Sequence, residues 1–301
     1  MIYTVTLNPA LDYVMWPQSF DMGKTNRTKN EEIYVGGKGI NVSLILKELG
    51  VKSKAIGFVA GFTGSEIEKR LKKRGVKTDF VRLKNGNTRI NVKIKGEKET
   101  ELNAAGPRAT EKELNALYKK LNKLKNGDTL VLSGAVPSGM PEDTYEKILE
   151  RLKNKKIRIV VDAGGEFLKK TLQFKPWAIK PNTQELSEMF GVELKEHDDI
   201  VKHAILLREM GAQNVIVSMA EKGAIFVGEN NEPIFCPALE GEAVNSVGAG
   251  DSFVAGFIAG MKSNDEKYAL SLATASGGAT AFSQDLATKK EILTQLDKIK
   301  D

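Results

Sequence analysis

The segment VNSVGAGDSFVAGFIAG (244–260) sets a glycine turn and an acid at the mouth of an apolar stretch. Phe253, Val254, Phe257, Ile258 and Met261 fall on one helical face, so Gly248, Ala249 and Gly250 are expected to form a turn that opens directly into a helix. A helix start leaves backbone N–H groups without intrahelical acceptors, and the positive end of the helix dipole adds to them. Together they suit a phosphate, or negative charge that develops during a reaction. Asp251 begins this helix, where the dipole should keep it ionised at neutral pH. A carboxylate there is able to orient a hydroxyl and take its proton in phosphoryl transfer, a reaction carried mostly by positioning and electrostatics. The same letters also fit an ordinary glycine-rich turn followed by a helix-starting aspartate.

A second cluster, VGGKGINVSLILKELG (35–50), repeats the loop-then-helix pattern, with Val42, Ile45, Leu46 and Leu49 facing the core. Lys38 adds a mobile positive charge and Asn41 an amide able to bond a sugar hydroxyl. In IKPNTQELSEMFG (179–191), Asn182 and Glu185 stand three apart after Pro181. That spacing is a capping box, and it is also a polar pair suited to Mg²⁺ and nucleotide phosphates. The familiar nucleotide fingerprints fail. GKT at 23–25 lacks the P-loop glycine, since Gln18 occupies its place, and Val42 and Phe253 replace the third glycine of G-x-G-x-x-G. Protein-kinase signatures are missing as well.

The elements that must position these residues follow a βα rhythm. Runs such as TLVLSG and IRIVVDAG are nearly continuous in apolar residues, as strands buried on both faces of a parallel sheet should be. One region departs from it. In TRINVKIKGEKETELN (88–103), Ile90, Val92 and Ile94 alternate with Arg89, Asn91, Lys93 and Lys95, which gives a sheet with one apolar face. With the irregular stretch 11–39 it is expected to form a small lid, whose apolar face must be buried on the main domain or on a second subunit.

Composition narrows the classes. A hydrophobic share of 41% with 28% charged residues is that of a globular chain rather than a disordered or membrane one. The start MIYTVTLNPALDY lacks a basic region followed by an apolar run, so a cytoplasmic location is expected. The net charge of +6 suits small polyanions without demanding nucleic acid. Cys236 is the single cysteine and reads as packing, while His197 and His203 lack helical zinc-pair spacing and read as surface residues.

With GGKGIN, KPNTQE and NSVGAGDSF in this order, the chain resembles the ribokinase-like PfkB carbohydrate kinases over nearly its whole length. TLNPALD, NRT, GFTG and TRINVKIK resemble the branch acting on ketohexose phosphates. The resemblance implies a Rossmann-like α/β fold, with a mostly parallel sheet flanked by helices and a β-sheet lid. One kinase domain (1–301) would then have its lid at about 11–39 and 86–104 and its core at about 1–10, 40–85 and 105–301. It implies Asp251 as base and the Gly248, Ala249 and Gly250 amides as anion hole, with Asp12, Gly37, Lys38 and Asn41 on the sugar. Arg27 and Arg89 would hold the existing phosphate, Lys24 less so, and Asn103 would complete the sugar site. The ATP side would comprise Asn182, Glu185, Ser218, Ala220 and Gly223, with Glu185 meeting Mg²⁺ through water. The pattern departs at Ser218-Met219-Ala220, where relatives have S-L-G, and around Asp162, to which no role is given.

The implied reaction is ATP-dependent phosphorylation of fructose 1-phosphate, with tagatose 6-phosphate or fructose 6-phosphate as alternative acceptors. A homodimer through the lid is the implied assembly, with neither nucleic acid nor membrane as partner. An inactive sugar-phosphate sensor remains open because fold alone does not establish function. A nicotinamide dehydrogenase is disfavoured by the missing fingerprint.

Overall fold

Leu130 and Leu132 belong to one apolar core and the intervening Val131 to another, and Ile159, Val161 and Val160 divide in the same way. A strand directs successive side chains to opposite faces, so this division marks a sheet buried on both sides. The computed structural model describes residues 1–96, 99–137 and 139–300. Residues 97 and 98 of the expected lid segment lie outside the described residues.

In chain order the strands are β1 (Ile2–Thr6), β2 (Ala10–Pro17), β3 (Thr28–Gly36), β4 (Ser53–Ala60), β5 (Lys77–Thr78), β6 (Val81–Leu83) and β7 (Arg89–Lys95). They continue with β8 (Glu99–Leu102), β9 (Thr129–Ser133), β10 (Arg158–Asp162), β11 (Ala178–Ile179), β12 (Val215–Ser218), β13 (Ala224–Val227) and β14 (Pro233–Cys236). The helices are α1 (Lys38–Glu48), α2 (Gly61–Lys73), α3 (Glu111–Leu121), α4 (Thr144–Leu152) and α5 (Gly165–Leu172). After them come α6 (Thr183–Phe190), α7 (His197–Glu209), α8 (Ala249–Gly260), α9 (Glu266–Ala281) and α10 (Lys289–Lys300).

The main sheet runs β14-β13-β12-β11-β10-β9-β1-β4-β5, with β6 also paired to β4. Pairing is parallel from β12 to the β5 edge and antiparallel only at β13 and β14. Residues of α3 to α7 fill one core, and residues of α1, α2, α8, α9 and α10 the other. This is the α/β class the alternating pattern demands. Each fully buried Leu, Ile or Phe contributes about 1.5–3 kcal/mol, so both cores resist any slip of the strands they cover. Cys236 lies in the second core at 4% exposure, where it packs.

A separate four-stranded sheet, β3-β2-β7-β8, packs beside α1 and α2. Its central pair β2–β7 is parallel and both edges are antiparallel. Register puts Asp12 beside Tyr34 and Asn91, and Val14 beside Glu32 and Lys93. One face is therefore polar, while Leu11, Tyr13, Val92 and Ile94 alternate onto the other. The sheet begins at Ala10, and Gly37 is already the N-cap of α1, so residues 37–39 belong to the core rather than to the lid. Among the described residues, no helix is long and apolar enough to cross a membrane.

Candidate active site

Three helix starts meet at the C-terminal edge of the parallel strands: α1 after Gly37, α6 after Asn182 and α8 after Gly248. In an open α/β sheet this edge is where a ligand crevice forms. Asp162 ends β10, Lys180 follows β11, and Ser218 ends β12, so the strands deliver polar side chains to the same edge.

Asp251 lies in the first turn of α8 and is 5% exposed. Asn41 Nδ2 donates to its Oδ2 at 2.8 Å, which ties the two glycine clusters together across 210 residues. Asp162 is 1% exposed, with Lys180 Nζ 3.1 Å from Oδ1 and Lys38 Nζ 3.6 Å from Oδ2. Burial by itself would raise the Asp162 carboxyl; the Lys180 and Lys38 charges override it and hold the group below the usual carboxylate range. Neither Asp162 oxygen has a well-formed hydrogen bond, so the two contacts are chiefly between charges. For Lys38, burial pulls its pKa down, and Asp162, Asp251 and Glu185 more than restore it.

The expectation that Asp251 is held ionised by the helix dipole needs correction. Burial, followed by repulsion from Asp162, pushes its carboxyl up to about 7, against the Asn41 bond and the two lysines. Desolvation inside a closed cleft outweighs the partial charge at one helix end. The result is a group that gains and loses its proton near neutrality, as a base in proton transfer should.

Gly248 caps α8 with φ 81°, a left-handed conformation, and a Cβ there would lie 2.5 Å from Leu286 Cδ2. Only glycine meets both demands. Ala249 N bonds back to Ser246 O at 3.3 Å, and the first regular bond of the helix start is Ser252 N to Gly248 O at 2.8 Å. The amides of Gly250 and Asp251 lie between them, in the turn where intrahelical acceptors are lacking. Of the three amides expected to form an anion hole, that of Ala249 is thus already engaged. Lys180 Nζ stands 3.7 Å from the Cβ position of Gly250, which brings a cation over this turn.

On the lid, Asn91 Nδ2 donates to Asp12 Oδ1 at 2.8 Å. A Cβ on Gly36 would fall 2.2 Å from Asp12 Oδ2, so the glycine makes room for this carboxylate. Asp12, Gly36, Asn41, Tyr34, Lys93 and Lys95 help line a cavity of about 150 Å³ between lid and core. Arg89 is half-buried, its guanidinium donating to Asn8 O at 3.3 Å and Ala104 O at 3.2 Å. Burial lowers its pKa and Asp12 opposes the shift. Asn103 is exposed and donates to Glu101 at 3.2 Å.

Arg27 is not brought to this cavity within the chain. It lines an open concavity of about 580 Å³ with Tyr13, Met15 and Glu31, residues of the lid's opposite face. Arg27 precedes β3, on the turn closed by Gln18 N donating to Arg27 O, and that turn carries it outside the polar face. Lys24 sits on the same turn, exposed and 3.7 Å from Asp21.

On the expected nucleotide side, Asn182 and Glu185 form a full capping box: Asn182 Oδ1 accepts from Glu185 N at 2.7 Å, and Asn182 N donates to Glu185 Oε2 at 2.8 Å. Glu185 Oε1 lies 3.2 Å from the Cβ position of Gly164, turned to the strand edge. The capping reading therefore holds, and one carboxylate oxygen is left over from it. Ser218 bridges to Asn182 through the backbone. Ala220 takes φ 49° and Gly223 φ 92°, so an alanine occupies a left-handed position here.

Asp162, Lys180 and Asn91 are site residues that sequence reasoning did not assign. A signal for the first two was present, because a charged residue closing an apolar strand is rarely buried without a partner. Asn91 had no such signal, since its role depends on the β2–β7 register.

Comparison with known proteins identifies the family. The pfkB family carbohydrate kinase model matches residues 5–292. A 1-phosphofructokinase of Bacillus subtilis (strain 168) is 46% identical over 301 residues, spanning 100% of this chain and 99% of that protein. A D-tagatose-1-phosphate kinase of Bacillus licheniformis is 34% identical over 95% of this chain and 94% of its own. The crystal structure of phosphofructokinase-2 from Escherichia coli in complex with substrates and products superposes with a TM-score of 0.92 at 27% identity, covering 100% of this chain and 99% of that one.

Proposed function

This chain belongs to the pfkB family of carbohydrate kinases, and on that premise we propose that it transfers the γ-phosphoryl group of ATP to fructose 1-phosphate, giving fructose 1,6-bisphosphate. The observation that carries this reading is the 2.8 Å bond between Asn41 and a buried Asp251 tuned to about 7, at the start of a glycine-capped helix. Asp251 takes the proton of the primary hydroxyl as the oxygen attacks the γ-phosphorus, and the leaving group is ADP. The first-turn amides of α8 and Lys180 offset the negative charge on the phosphoryl group in flight. Asn41 orients Asp251, and Asp12, held by Asn91, binds sugar hydroxyls. Arg89 stands beside Asp12 as a cation for the existing phosphate.

Mg²⁺ fits the donor set as an ion held mostly by phosphates and water. Glu185 keeps one oxygen beyond its capping bond, and no cluster of three or more potential ligands occurs among the described residues. When bound, the ion neutralises charge on the ATP phosphates. The lid's apolar face, with Tyr13 and Met15 at its concavity, supports a homodimer through the lid, in which Arg27 faces the second subunit. The proposed location is the cytoplasm, where ATP and sugar phosphates meet.

D-tagatose 1-phosphate is the second reading, favoured by the 34% relative. It differs from fructose 1-phosphate only in configuration at C4. Turnover of fructose 1-phosphate, tagatose 1-phosphate, tagatose 6-phosphate and fructose 6-phosphate by one purified sample tests both. The highest kcat/KM is expected for fructose 1-phosphate, and activity confined to another acceptor would displace it.

A further inference from the structure

The chain passes between core and lid at 7–9, 36–37, 84–88 and 103–110. The first, third and last of these crossings meet at Arg89, which opens β7 directly after the third. Its Nε donates to Asn8 O in the first at 3.3 Å, and its Nη1 donates to Ala104 O in the last at 3.2 Å. Both bonds are long, so the direction of the guanidinium depends on where the two carbonyls stand. They hold one edge of the fork and leave the Nη2 edge for a ligand.

Asn8 sets the place of both carbonyls. One is its own, and its side-chain Nδ2 donates to Ala105 O at 2.8 Å, the residue next to the other. Asn8 stands between buried Leu7 and Pro9, so it is anchored on the core, whereas residues 103–105 are exposed and burial does little to fix them. Gly106 completes the contact: it takes φ 83°, and a Cβ there would lie 2.3 Å from Asn8 Oδ1. Pro107 in turn packs on Gly86, in the turn that leads to Arg89. We propose that Asn8 is a positioning residue for recognition of the phosphate already on the substrate: by tying 104–106 to the end of β1 it aims the Arg89 guanidinium. This rests on the reading above that gives Arg89 to that phosphate. A guanidinium already held along one edge loses less freedom when its other edge takes an anion.

Steady-state kinetics on the full chain, with and without Arg89→Met, tests this. Asn8→Ala keeps the backbone acceptor and removes the tie. Its KM for fructose 1-phosphate is expected to rise roughly three- to ten-fold, the scale of one hydrogen bond, with kcat and KM for ATP within about twofold. Arg89→Met should raise the same KM roughly ten- to a hundred-fold. Added to Arg89→Met, Asn8→Ala should change nothing more, because its effect passes through the guanidinium. A merely structural role would add the same factor in both backgrounds, and that result overturns the proposal. An unchanged KM in a folded Asn8→Ala protein overturns it too. If Asn8→Ala does not fold, Gly106→Ala, whose Cβ would displace the Asn8 amide, takes its place in both backgrounds with the same expected and overturning results. No turnover of fructose 1-phosphate by the unaltered chain, or an unaltered KM in Arg89→Met, sinks the reading beneath this proposal and the proposal with it. A raised KM in Arg89→Met beside an unaltered one in Asn8→Ala sinks the proposal alone.

Discussion

In the cleft, the buried Asp162, Asp251 and Lys180 act on one another and on Lys38, whose side chain is 47% exposed. On the lid, Lys93 and Glu101 pair across two strands while Glu101 stays in contact with solvent. Like charge and poor screening in the cleft move a carboxyl's pKa far enough to set a reaction's pH range. Partial hydration on the lid leaves that ion pair only weakly coupled. In the proposed mechanism, proton transfer thus falls to the junction of strand ends and helix starts, and sugar binding to the lid sheet that carries Asp12.

The largest expected effect breaks the cleft at its base. Asp251→Asn should lower turnover by about 10²–10⁴-fold while sugar-phosphate binding stays within a few-fold, measured by kinetics and calorimetry. It should also stabilise the fold at pH 8. A carboxyl whose folded pKa is raised to about 7 contributes stability below its unfolded pKa and loses it as pH rises through 7. Removing that buried charge should add on the order of 2 kcal/mol at pH 8 and little at pH 4. Equal melting shifts at both values would refute the burial argument.

Asp162→Asn attacks the other carboxylate with the opposite sign for stability. Buried Lys180 and the half-exposed Lys38 lose their partner, and a loss of about 3–5 kcal/mol is expected in denaturant titrations, mostly from Lys180. In the unaltered enzyme kcat/KM should rise with pH through about 7 and then level. In Asp162→Asn the repulsion on Asp251 is gone, so that rise should move to lower pH. A profile that stays in place would mean that burial alone tunes the base.

Hydrogen exchange compares the two regions directly. Adding sugar phosphate with a non-hydrolysable ATP analogue should slow exchange in 89–102 several-fold and leave β9 and β10 unaltered. Uniform protection would remove the contrast, and no change in the lid would remove closure. The smallest effect is expected at Ala220. Its φ of 49° costs an L-residue about 1–2 kcal/mol, so Ala220→Gly should raise stability by roughly 1 kcal/mol after glycine's larger unfolded-state entropy is subtracted. A fall in melting temperature would show that the alanine is not strained.

Periodicity made much of this legible. The two-residue alternation of Ile90, Val92 and Ile94 marked the lid, and the apolar run before Asp162 marked a buried strand. Asn182 and Glu185 were legible as a capping box because that motif is local, closed within three residues. The charge state of Asp251 was not, because a helix dipole is written in its own turn, while the opposing terms come from burial and from Asp162, 89 positions earlier in the chain. Arg27 and Arg89 look alike as lid cations, yet the turn before β3 carries one outside while β7 keeps the other beside Asp12.

What the amino-acid order determined alone was the local part: glycine turns before apolar helices, buried strands, a polar-faced sheet and the acid at a helix start. Which of these meet, and hence the pairing of Asn41 with Asp251, of Asp162 with two lysines and of Asn91 with Asp12, was decided only by the fold. The physical reason is range. Turn and helix signals act through neighbours within a few residues, whereas desolvation and charge coupling depend on distances that exist only after remote segments have packed.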